Sequence, residues 1–382
     1  MKKLTQRRWA ACQAIQTLGP AASSAAPELV EIFKSNDQYD LNAATMALHA
    51  IGINAEICER LNALMEKGGL SVSARAQIVS ALGNVKPPSQ RSLNVLVAAL
   101  RDSSAYVPGR AAETLGRLGV RTPEIVAGLK QLQSNSTNGS DVVASSLALW
   151  ELEKDPSLVL APVFRILDDQ MSKPVVRMPG RGQGGQGVTA PDQLFMGAAE
   201  LFRKMHLNEP EKSRALALLE AWGEKSRRIF IQMLLLPAMV ELGLPRERCL
   251  EICKTGLDQE EDYLRIQAAR LLTVVSDKHY VTERDLYSLS HDSFVGVRVY
   301  AAKVHWLKYR QANAVVPVLI EALDRSKHQS YFYKEIQPVA LAALADIGPG
   351  AQEATGTLEK LTRDPNPEIA KLASEALVKI RK

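Results

Sequence analysis

The stretch that decides the fold is GRAAETLGRLGVRTPEIVAGLKQL, residues 109–132. It contains two apolar segments separated by a short turn at Gly119, and the apolar residues recur at steps of three and four. This spacing gives each segment one apolar stripe along a helix. Pro123 opens the second segment, at a position where a helix loses no hydrogen bond to proline. The stretch therefore predicts a helix, a glycine-containing turn and a second helix.

The same pattern recurs along the chain, most clearly in residues 7–133 and 262–382. The glycines that close the first helix of successive units are Gly19, Gly52, Gly83 and Gly119. Their intervals are 33, 31 and 36 residues. Pro27 lies 96 residues before Pro123, which is three periods of 32. Repetition at this period predicts an array of helix pairs, each packed on its neighbours.

Several motifs in this array resemble the short HEAT-like repeats of bacterial proteins, of the kind also found in phycobilin lyases. They are LGPAASSAAPELV (18–30), GRAAETLGRLG (109–119), DIGPGAQEA (346–354) and RDPNPEIAKLASEAL (363–377). The resemblance implies an all-α fold, a right-handed α-solenoid of about ten HEAT-like helix pairs with a closing helix at residues 367–380. The period is shorter than in the long eukaryotic HEAT units, which speaks against importin- or condensin-type members. This architecture serves many purposes, so it implies little about function.

A glycine-rich segment, MPGRGQGGQGV at residues 178–188, interrupts the repeats. Gly182, Gly184 and Gly187 have the spacing G-x-G-x-x-G of dinucleotide-binding loops. Such a loop must follow a strand and open a helix, so that amide groups and the helix dipole meet the pyrophosphate. No strand is predicted on either side. We therefore interpret the segment as an insertion between repeats and expect no cofactor.

The insertion divides the repeats into two parts of one continuous solenoid. The predicted organisation is N-terminal repeats in residues 1–170, an inserted Gly/Pro-rich loop in 171–190 and C-terminal repeats in 191–382. The sequence APDQLFMGAAELF opens the next helix after the loop, and Asp192 is predicted to cap it.

Motifs for catalysis and metal binding are absent from the sequence. None of the histidines at 49, 206, 279, 291, 305 and 328 precedes glutamate, unlike the His-Glu metal ligands of the iron-dependent deoxyhypusine hydroxylases, which resemble this architecture. No H-E-x-x-H or G-x-S-x-G motif occurs. Cys249 and Cys253 share one predicted helix face without further ligands nearby, so we interpret them as buried thiols. We predict no catalytic residue, no metal site and no enzymatic activity.

The charge is nearly balanced. The chain carries 47 basic and 42 acidic residues, and residues 1–170 carry 17 and 16. A surface that is basic throughout is therefore not expected, which argues against nucleic acid as the partner. A nucleic-acid-binding or DNA-glycosylase-like HEAT protein is the alternative, since such proteins bind duplex DNA on a basic helical surface. Phycobilin lyase activity is a third interpretation, which rests on the repeat resemblance alone.

No membrane segment is predicted, because the longest apolar run, IFIQMLLLPAMV at 229–240, is too short to span a bilayer. The first 26 residues begin with basic residues, as in a signal peptide, but Gln13, Gln16 and Thr17 make the following region polar. We interpret them as a first helix and expect a cytoplasmic protein. The alternative is export, with a truncated N-terminus or a weak signal peptide.

One predicted helix, GVRVYAAKVHWLKYRQ at 296–311, lies in a segment without acidic residues, 294–320. Steps of about 100° per residue define its core-facing side. That side consists of Val297, Tyr300, Ala301, Val304 and Leu307. The residues predicted to point away from the core are Arg298, Lys303, Trp306, Tyr309 and Arg310.

An exposed tryptophan flanked by arginines is typical of an interface anchor. We therefore predict that these five residues bind an acidic protein partner. In the alternative interpretation, Trp306 packs on an adjacent repeat or under the aromatic residues Tyr331, Phe332 and Tyr333. The predicted function is a non-catalytic protein–protein interaction scaffold that presents a curved helical surface.

Overall fold

The computed structural model describes residues 2–175, 188–275, 283–324 and 333–382. Within these ranges the chain is mostly helical and contains no β-strand, which confirms the predicted all-α fold class. The chain divides into two compact units, and the change from the first to the second falls between Leu218 and Leu219. The glycine-rich residues Gly182, Gly184 and Gly187 lie outside the described residues.

The helices of the first unit are α1 (Lys2–Leu18), α2 (Ala26–Glu31), α3 (Gln38–Ile51), α4 (Ala55–Lys67), α5 (Val72–Leu82), α6 (Gln90–Ala99), α7 (Val107–Leu118), α8 (Pro123–Asn135), α9 (Gly139–Glu153), α10 (Leu160–Ser172) and α11 (Ala190–Lys204). Helix α12 (Glu209–Ser226) contains the change between the units. Short 3₁₀ segments precede α2, follow α2 and precede α10.

The helices of the second unit are α13 (Ile229–Glu241), α14 (Arg246–Leu257), α15 (Asp262–Val275), α16 (Glu283–Ser290), α17 (Val295–Tyr309), α18 (Ala312–Glu321), α19 (Tyr333–Ile347), α20 (Thr355–Leu361) and α21 (Pro367–Ile380). The last of these is the predicted closing helix, with the predicted limits. A 3₁₀ segment separates α19 from α20.

Both units consist of two layers of helices. In the first unit, α3 contacts α1 and α5, α7 contacts α5 and α9, and α9 contacts α11, while α4 contacts α2 and α6 in the second layer. In the second unit, α15 contacts α13 and α17, and α19 contacts α17 and α21. The apolar stripes meet between the layers, where leucines such as Leu48, Leu82 and Leu115 are fully buried. Helix pairs packed on their neighbours produce this arrangement.

The closing glycines end their helices in two different ways. Gly119 has φ 69° and ψ 15°, the left-handed conformation that glycine adopts without strain, and its N–H donates to the carbonyls of Leu115 and Gly116. Gly83 instead keeps a helical φ of −78°. A Cβ atom there would lie 2.8 Å from Cγ2 of Thr114 on α7. The glycine at this position therefore allows close packing of α7 rather than an unusual backbone angle.

Ion pairs join neighbouring helix pairs at equivalent positions. Arg75 on α5 donates to both carboxylate oxygens of Asp102, at 2.7 and 2.9 Å, and to the carbonyl of Leu70 at 2.7 Å. Arg265 on α15 makes the same contacts with Asp292, at 2.9 and 3.2 Å. In both pairs the acid follows the arginine by 27 residues. Each arginine therefore connects its own helix pair to the next loop of the array.

Helix α11 begins with a capping box, and its N-cap is Thr189 rather than the predicted Asp192. The Thr189 side chain accepts a hydrogen bond from the backbone N–H of Asp192, and the buried Asp192 carboxylate accepts one from the N–H of Thr189 at 2.9 Å. The predicted start of α11 was therefore three residues too late in the sequence. An aspartate is favourable at a helix start both as the N-cap and as the third residue, so the residue type alone did not distinguish the two positions.

Replacing Thr189 by alanine is expected to lower the free energy of unfolding by about 1 kcal/mol, because one hydrogen bond to the first turn of α11 is lost. Replacing it by serine should cost much less, since the hydroxyl is kept. Urea denaturation followed by circular dichroism measures both effects. Equal stability of the alanine and serine variants would contradict this role of the Thr189 side chain.

Helix α11 follows the predicted insertion and packs against α9, which precedes it. The first unit therefore includes repeats on both sides of that segment. The domain limits 1–170, 171–190 and 191–382 stay a prediction, as do the right-handedness and the number of helix pairs. Among the described residues, no helix combines the length and apolar character needed to cross a membrane.

Candidate functional site

The predicted partner-binding residues lie on α17 and, in the case of Arg310, directly after it; α17 packs between α15 and α19. The helix begins after Phe294, whose extended backbone (φ −94°, ψ 119°) ends the preceding turn. It ends at Arg310, whose left-handed conformation (φ 57°) stops the helix. The N–H of Arg310 donates to the carbonyl of Trp306 at 3.0 Å. Trp306 and Arg310 are thus held one turn apart at the end of α17.

The core-facing side of α17 agrees with the sequence prediction except at its last position. Val297, Tyr300, Ala301 and Val304 are buried, as predicted. Leu307 is 39% exposed, so its assignment to the core was wrong. At 100° per residue, Leu307 stands about 80° away from Val297, at the edge of the apolar stripe. The core contact of α17 therefore ends one turn before the helix does.

Arg298 has an internal role that the sequence prediction missed. Its side chain is only 16% exposed, and its guanidinium donates to Glu321 and to the carbonyl of Asp292, both at 2.7 Å. Arg265 on the preceding first-layer helix makes the equivalent pair of contacts, with the Asp292 carboxylate and the carbonyl of Glu260. Arg298 therefore connects α17 to the end of α18 and to the preceding loop, and its role as a partner contact stays a prediction. Arg298 lies 33 residues after Arg265, one repeat period later, and this spacing was the signal for its role in the sequence.

Trp306 is half-buried rather than exposed, and Arg310 covers it. The guanidinium carbon of Arg310 lies 5.2 Å from the centre of the indole ring, at the distance of a cation–π contact. The indole Nε1 is buried, and no described residue accepts a hydrogen bond from it. A buried N–H group without an acceptor lowers the stability of the folded state. Among the described residues, the packing around Trp306 therefore leaves this polar atom unsatisfied.

The remaining site residues surround this tryptophan on the same helix. Tyr309 is half-buried, with its ring centre 4.9 Å from that of His305. The Lys308 ammonium lies 5.1 Å from the centre of the Tyr309 ring. Burial lowers the pKa of His305, so its ring adds no positive charge at pH 7. Lys303 is half-buried one turn earlier on α17.

Charge at the end of α17 is unbalanced within the described part of the chain. Arg298 and Glu321 neutralise each other in an ion pair at 2.7 Å. Lys303 and Arg310 have no ion-pair partner among the described residues. We define the α17 cluster as Lys303, Trp306, Tyr309 and Arg310.

The alternative interpretation of Trp306 involves residues that are only partly described. Tyr331 and Phe332 lie outside the described residues, and only the backbone of Tyr333 is described, as the first residue of α19. Their packing on Trp306 stays a prediction.

Apart from the α17 cluster, the cysteines and the potential metal-ligating side chains are the groups that could form a second site. Cys249 and Cys253 are buried without a disulfide, and burial raises the pKa of Cys253 to about 12. Within the described ranges, no group of three or more His, Cys, Asp or Glu side chains is placed to hold a metal ion. These residues therefore present no arrangement that we can assign to catalysis or metal binding.

No protein-family model matches the sequence, and no curated protein matches it. Among solved structures, yeast importin-beta (Kap95p) is similar, with a TM-score of 0.59 and 15% identity over 96% of this chain and 52% of that chain. The Kap95:Nup1 complex is similar, with a TM-score of 0.50 and 12% identity over 93% of this chain and 50% of that chain. The present chain thus spans about half the length of those chains.

At identities this low the likeness shows the fold alone. Karyopherins are HEAT-repeat proteins, so the likeness confirms the repeat architecture that the motifs predicted. The prediction that this chain is not an importin-type member stays a prediction, since it concerns ancestry rather than fold. The protein has the fold of a HEAT-like helical repeat protein.

Proposed function

We propose that the protein is a non-catalytic scaffold that binds a protein partner on its helical repeats. The repeat fold supports this proposal, because stacked helix pairs expose extended surfaces that suit macromolecular partners. One of the similar structures is itself a complex of two proteins, Kap95 and Nup1. No observation favours the alternative of nucleic-acid binding or a glycosylase-like activity.

We further propose that the partner is acidic and binds at the α17 cluster. The observation that carries this proposal is the combination of the half-buried Trp306 with two cations, Lys303 and Arg310, that have no ion-pair partner among the described residues. A carboxylate of the partner would supply the missing negative charge opposite Lys303 and Arg310. Tryptophan and arginine are also the residues in which binding energy concentrates at protein interfaces.

The residues to vary in a test of the proposed site are chosen by their described ion pairs. Arg298 is occupied by Glu321, so removing its charge would disturb the fold instead of the interface. Reversing the charges of Lys303 and Arg310 breaks no described ion pair. A test of the interface therefore uses the double variant Lys303→Glu/Arg310→Glu and leaves Arg298 unchanged.

Proteins captured by the wild-type chain from an extract of its source cells are expected to be lost with Lys303→Glu/Arg310→Glu. A matched control, Lys379→Glu/Lys382→Glu, reverses the same number of exposed charges on and after α21 and should retain them. Quantitative mass spectrometry compares the three baits. Binding should also weaken between 0.1 and 0.5 M salt in this planned assay, because surface charges are screened. An identical set of captured proteins for all three baits would refute the α17 site.

A second variant separates binding from folding. Trp306→Ala is expected to abolish capture while lowering the free energy of unfolding by less than about 3 kcal/mol, because the side chain is only half-buried. A larger loss would show that Trp306 belongs to the core, and the acidic-partner site would then be wrong. Thermal melts and urea denaturation of the purified variant provide this measurement.

A further inference from the structure

The solvent-facing side of α3 carries no charged group. Gln38, Tyr39, Asn42, Met46 and His49 are all exposed and follow one another at helical spacing. Neighbouring groups partly desolvate the His49 imidazole although the residue is exposed, and this desolvation, followed by the charge of Arg117, lowers its pKa, so the ring is neutral at pH 7.

Helices α3 and α5 each contain one acidic or basic residue, and each of these two residues forms an ion pair away from the solvent-facing side. Asp40, the one acid of α3, is buried and receives a hydrogen bond from Arg8 at 2.7 Å. Arg75, the one cation of α5, is bound to Asp102. The two adjacent helices, which the structure describes in full, therefore present a surface without a free charge. This surface contrasts with the chain as a whole, in which 23% of the residues are charged.

The polar side chains of this surface are bonded to each other. Gln77 on α5 donates to the side-chain oxygen of Asn42 on α3 at 2.8 Å and accepts a hydrogen bond from the Thr45 hydroxyl. Beyond the end of α5, the side-chain nitrogen of Asn84 lies 3.1 Å from Nε2 of His49. Because these groups already have partners, covering them with another protein would leave few of them unsatisfied.

Apolar side chains project from the same region. Tyr39 is 74% exposed and Met46 56% exposed, on one side of α3 at positions i and i+7. Among the described residues ten large apolar side chains are exposed, and six of them precede α7. These six are Trp9, Leu18, Tyr39, Met46, Val72 and Tyr106. Single exposed apolar residues are ordinary, but their concentration on neighbouring helices is typical of an interaction site.

Charged residues border the surface on both sides. On α7, Arg110 pairs with Glu113 at 3.1 Å, and Arg117 donates to the carbonyl of Ser80 at 3.1 Å. On α1, Arg8 stands beside Trp9 and contacts Asp40. An uncharged centre with Tyr and Met, enclosed by a charged border, is the usual composition of a protein–protein interface.

We infer that the solvent-facing sides of α3 and α5 form a docking surface for an uncharged, apolar segment of a partner protein, anchored by Tyr39 and Met46. The uncharged centre selects this occupant, because an acidic or basic segment would lose its hydration there without gaining an opposite charge. This surface belongs to the first unit and is separate from the proposed acidic-partner site on α17. The two sites therefore differ in the chemistry of what they bind.

The probe is a phage-displayed library of random dodecapeptides, selected on the immobilised full chain. The expected peptides are apolar and without net charge. A synthetic copy of the most enriched peptide should bind Tyr39→Glu/Met46→Glu at least about thirtyfold more weakly than the wild type, the effect of losing an interface anchor. The matched control, Tyr287→Glu/Val378→Glu, alters a tyrosine and an aliphatic residue of similar exposure in the second unit and should leave the affinity unchanged.

The salt dependence of peptide binding and the variant Lys303→Glu/Arg310→Glu distinguish this docking surface from the proposed acidic-partner site. Binding of the apolar peptide should change less than about twofold between 50 and 500 mM salt in this planned assay, because no charge pair is involved. Lys303→Glu/Arg310→Glu should bind it as the wild type does. Tyr39→Ser/Met46→Ser serves as a second variant, should the glutamates disturb folding.

Three results would overturn the inference. The selection could yield charged, salt-sensitive peptides or none at all. The enriched peptide could bind Tyr39→Glu/Met46→Glu and the wild type equally. Light scattering could show a wild-type dimer that the same variant converts to a monomer, in which case the occupant is a second copy of this chain.

Discussion

Replacing Gly116 by valine is expected to lower the free energy of unfolding by about 3 kcal/mol. Gly116 lies where α7 packs against α9. A Cβ atom at this position would stand 2.9 Å from the Cα and 3.1 Å from the Cβ of Ala148. The obstacle is backbone rather than a flexible side chain, so the two helices would have to separate. Urea denaturation followed by circular dichroism measures the loss.

Gly356 provides the matched control. It lies within α20, and a Cβ atom added there would meet no atom within 4 Å. Gly356→Ala should therefore raise the free energy of unfolding by up to about 1 kcal/mol, since alanine favours the helix over glycine. Gly116→Ala should instead lower it. Equal effects of alanine at both positions would refute close packing of α7 on α9 as the reason for Gly116.

Replacing Asp102 by alanine is expected to lower the free energy of unfolding by about 3 kcal/mol, because the Arg75 guanidinium is left without its acid. The side chains of Arg75 and Asp102 are only 24% and 14% exposed, so water compensates poorly for the lost partner. The exposed pair of Glu56 and Arg60, one turn apart on α4, is the control. Glu56→Ala should cost at most about 0.5 kcal/mol. Similar losses for both alanine variants would contradict this role of Asp102.

The effect of Asp102 should also depend on pH. Burial raises the pKa of this carboxyl, but hydrogen bonds from Arg75 and Ser104 outweigh burial and hold it below its ordinary value of 3.8. The ionised form therefore favours the folded state. Its stabilisation is fully present above pH 3.8 and is lost as the pH falls through the lower pKa of the folded state. The stability difference between the wild type and Asp102→Asn should shrink accordingly in acid, as urea denaturation at several pH values would show.

The helix pairs could be predicted from the sequence because their signals are local. Gly119 closes α7 and Pro123 opens α8, as the apolar spacing and the turn residues indicated. The limits of α21 were predicted correctly for the same reason. Gly83 shows where local reasoning stops. The residue type was predicted to end a helix, whereas its packing against Thr114 depends on a neighbouring repeat.

The candidate site was harder to predict, because exposure depends on residues distant in sequence. Helical periodicity placed Arg298 away from the core correctly, but not its ion pair with Glu321, 23 residues later. The interval of 33 residues from Arg265 to Arg298, one repeat period, indicated the internal role of Arg298 but not the identity of its acid. Residues 41–55, which contain no charged residue, likewise indicated the uncharged surface of α3. The sequence alone does not indicate which side of α3 faces solvent, so an uncharged stretch of this kind is interpreted as part of the core.

Helices α3 and α9 contact mainly helices that are close to them in sequence, and this affects how the chain can fold during synthesis. Each helix of these layers finds its partners within one or two helix pairs along the sequence. Ribosomes add about 5–20 residues per second, so a new pair of about 33 residues emerges every few seconds. Helical contacts over such short separations form in milliseconds or less. Each emerging pair therefore has time to settle on the pair made before it, and the nascent chain exposes the unpaired apolar stripe of its newest pair alone.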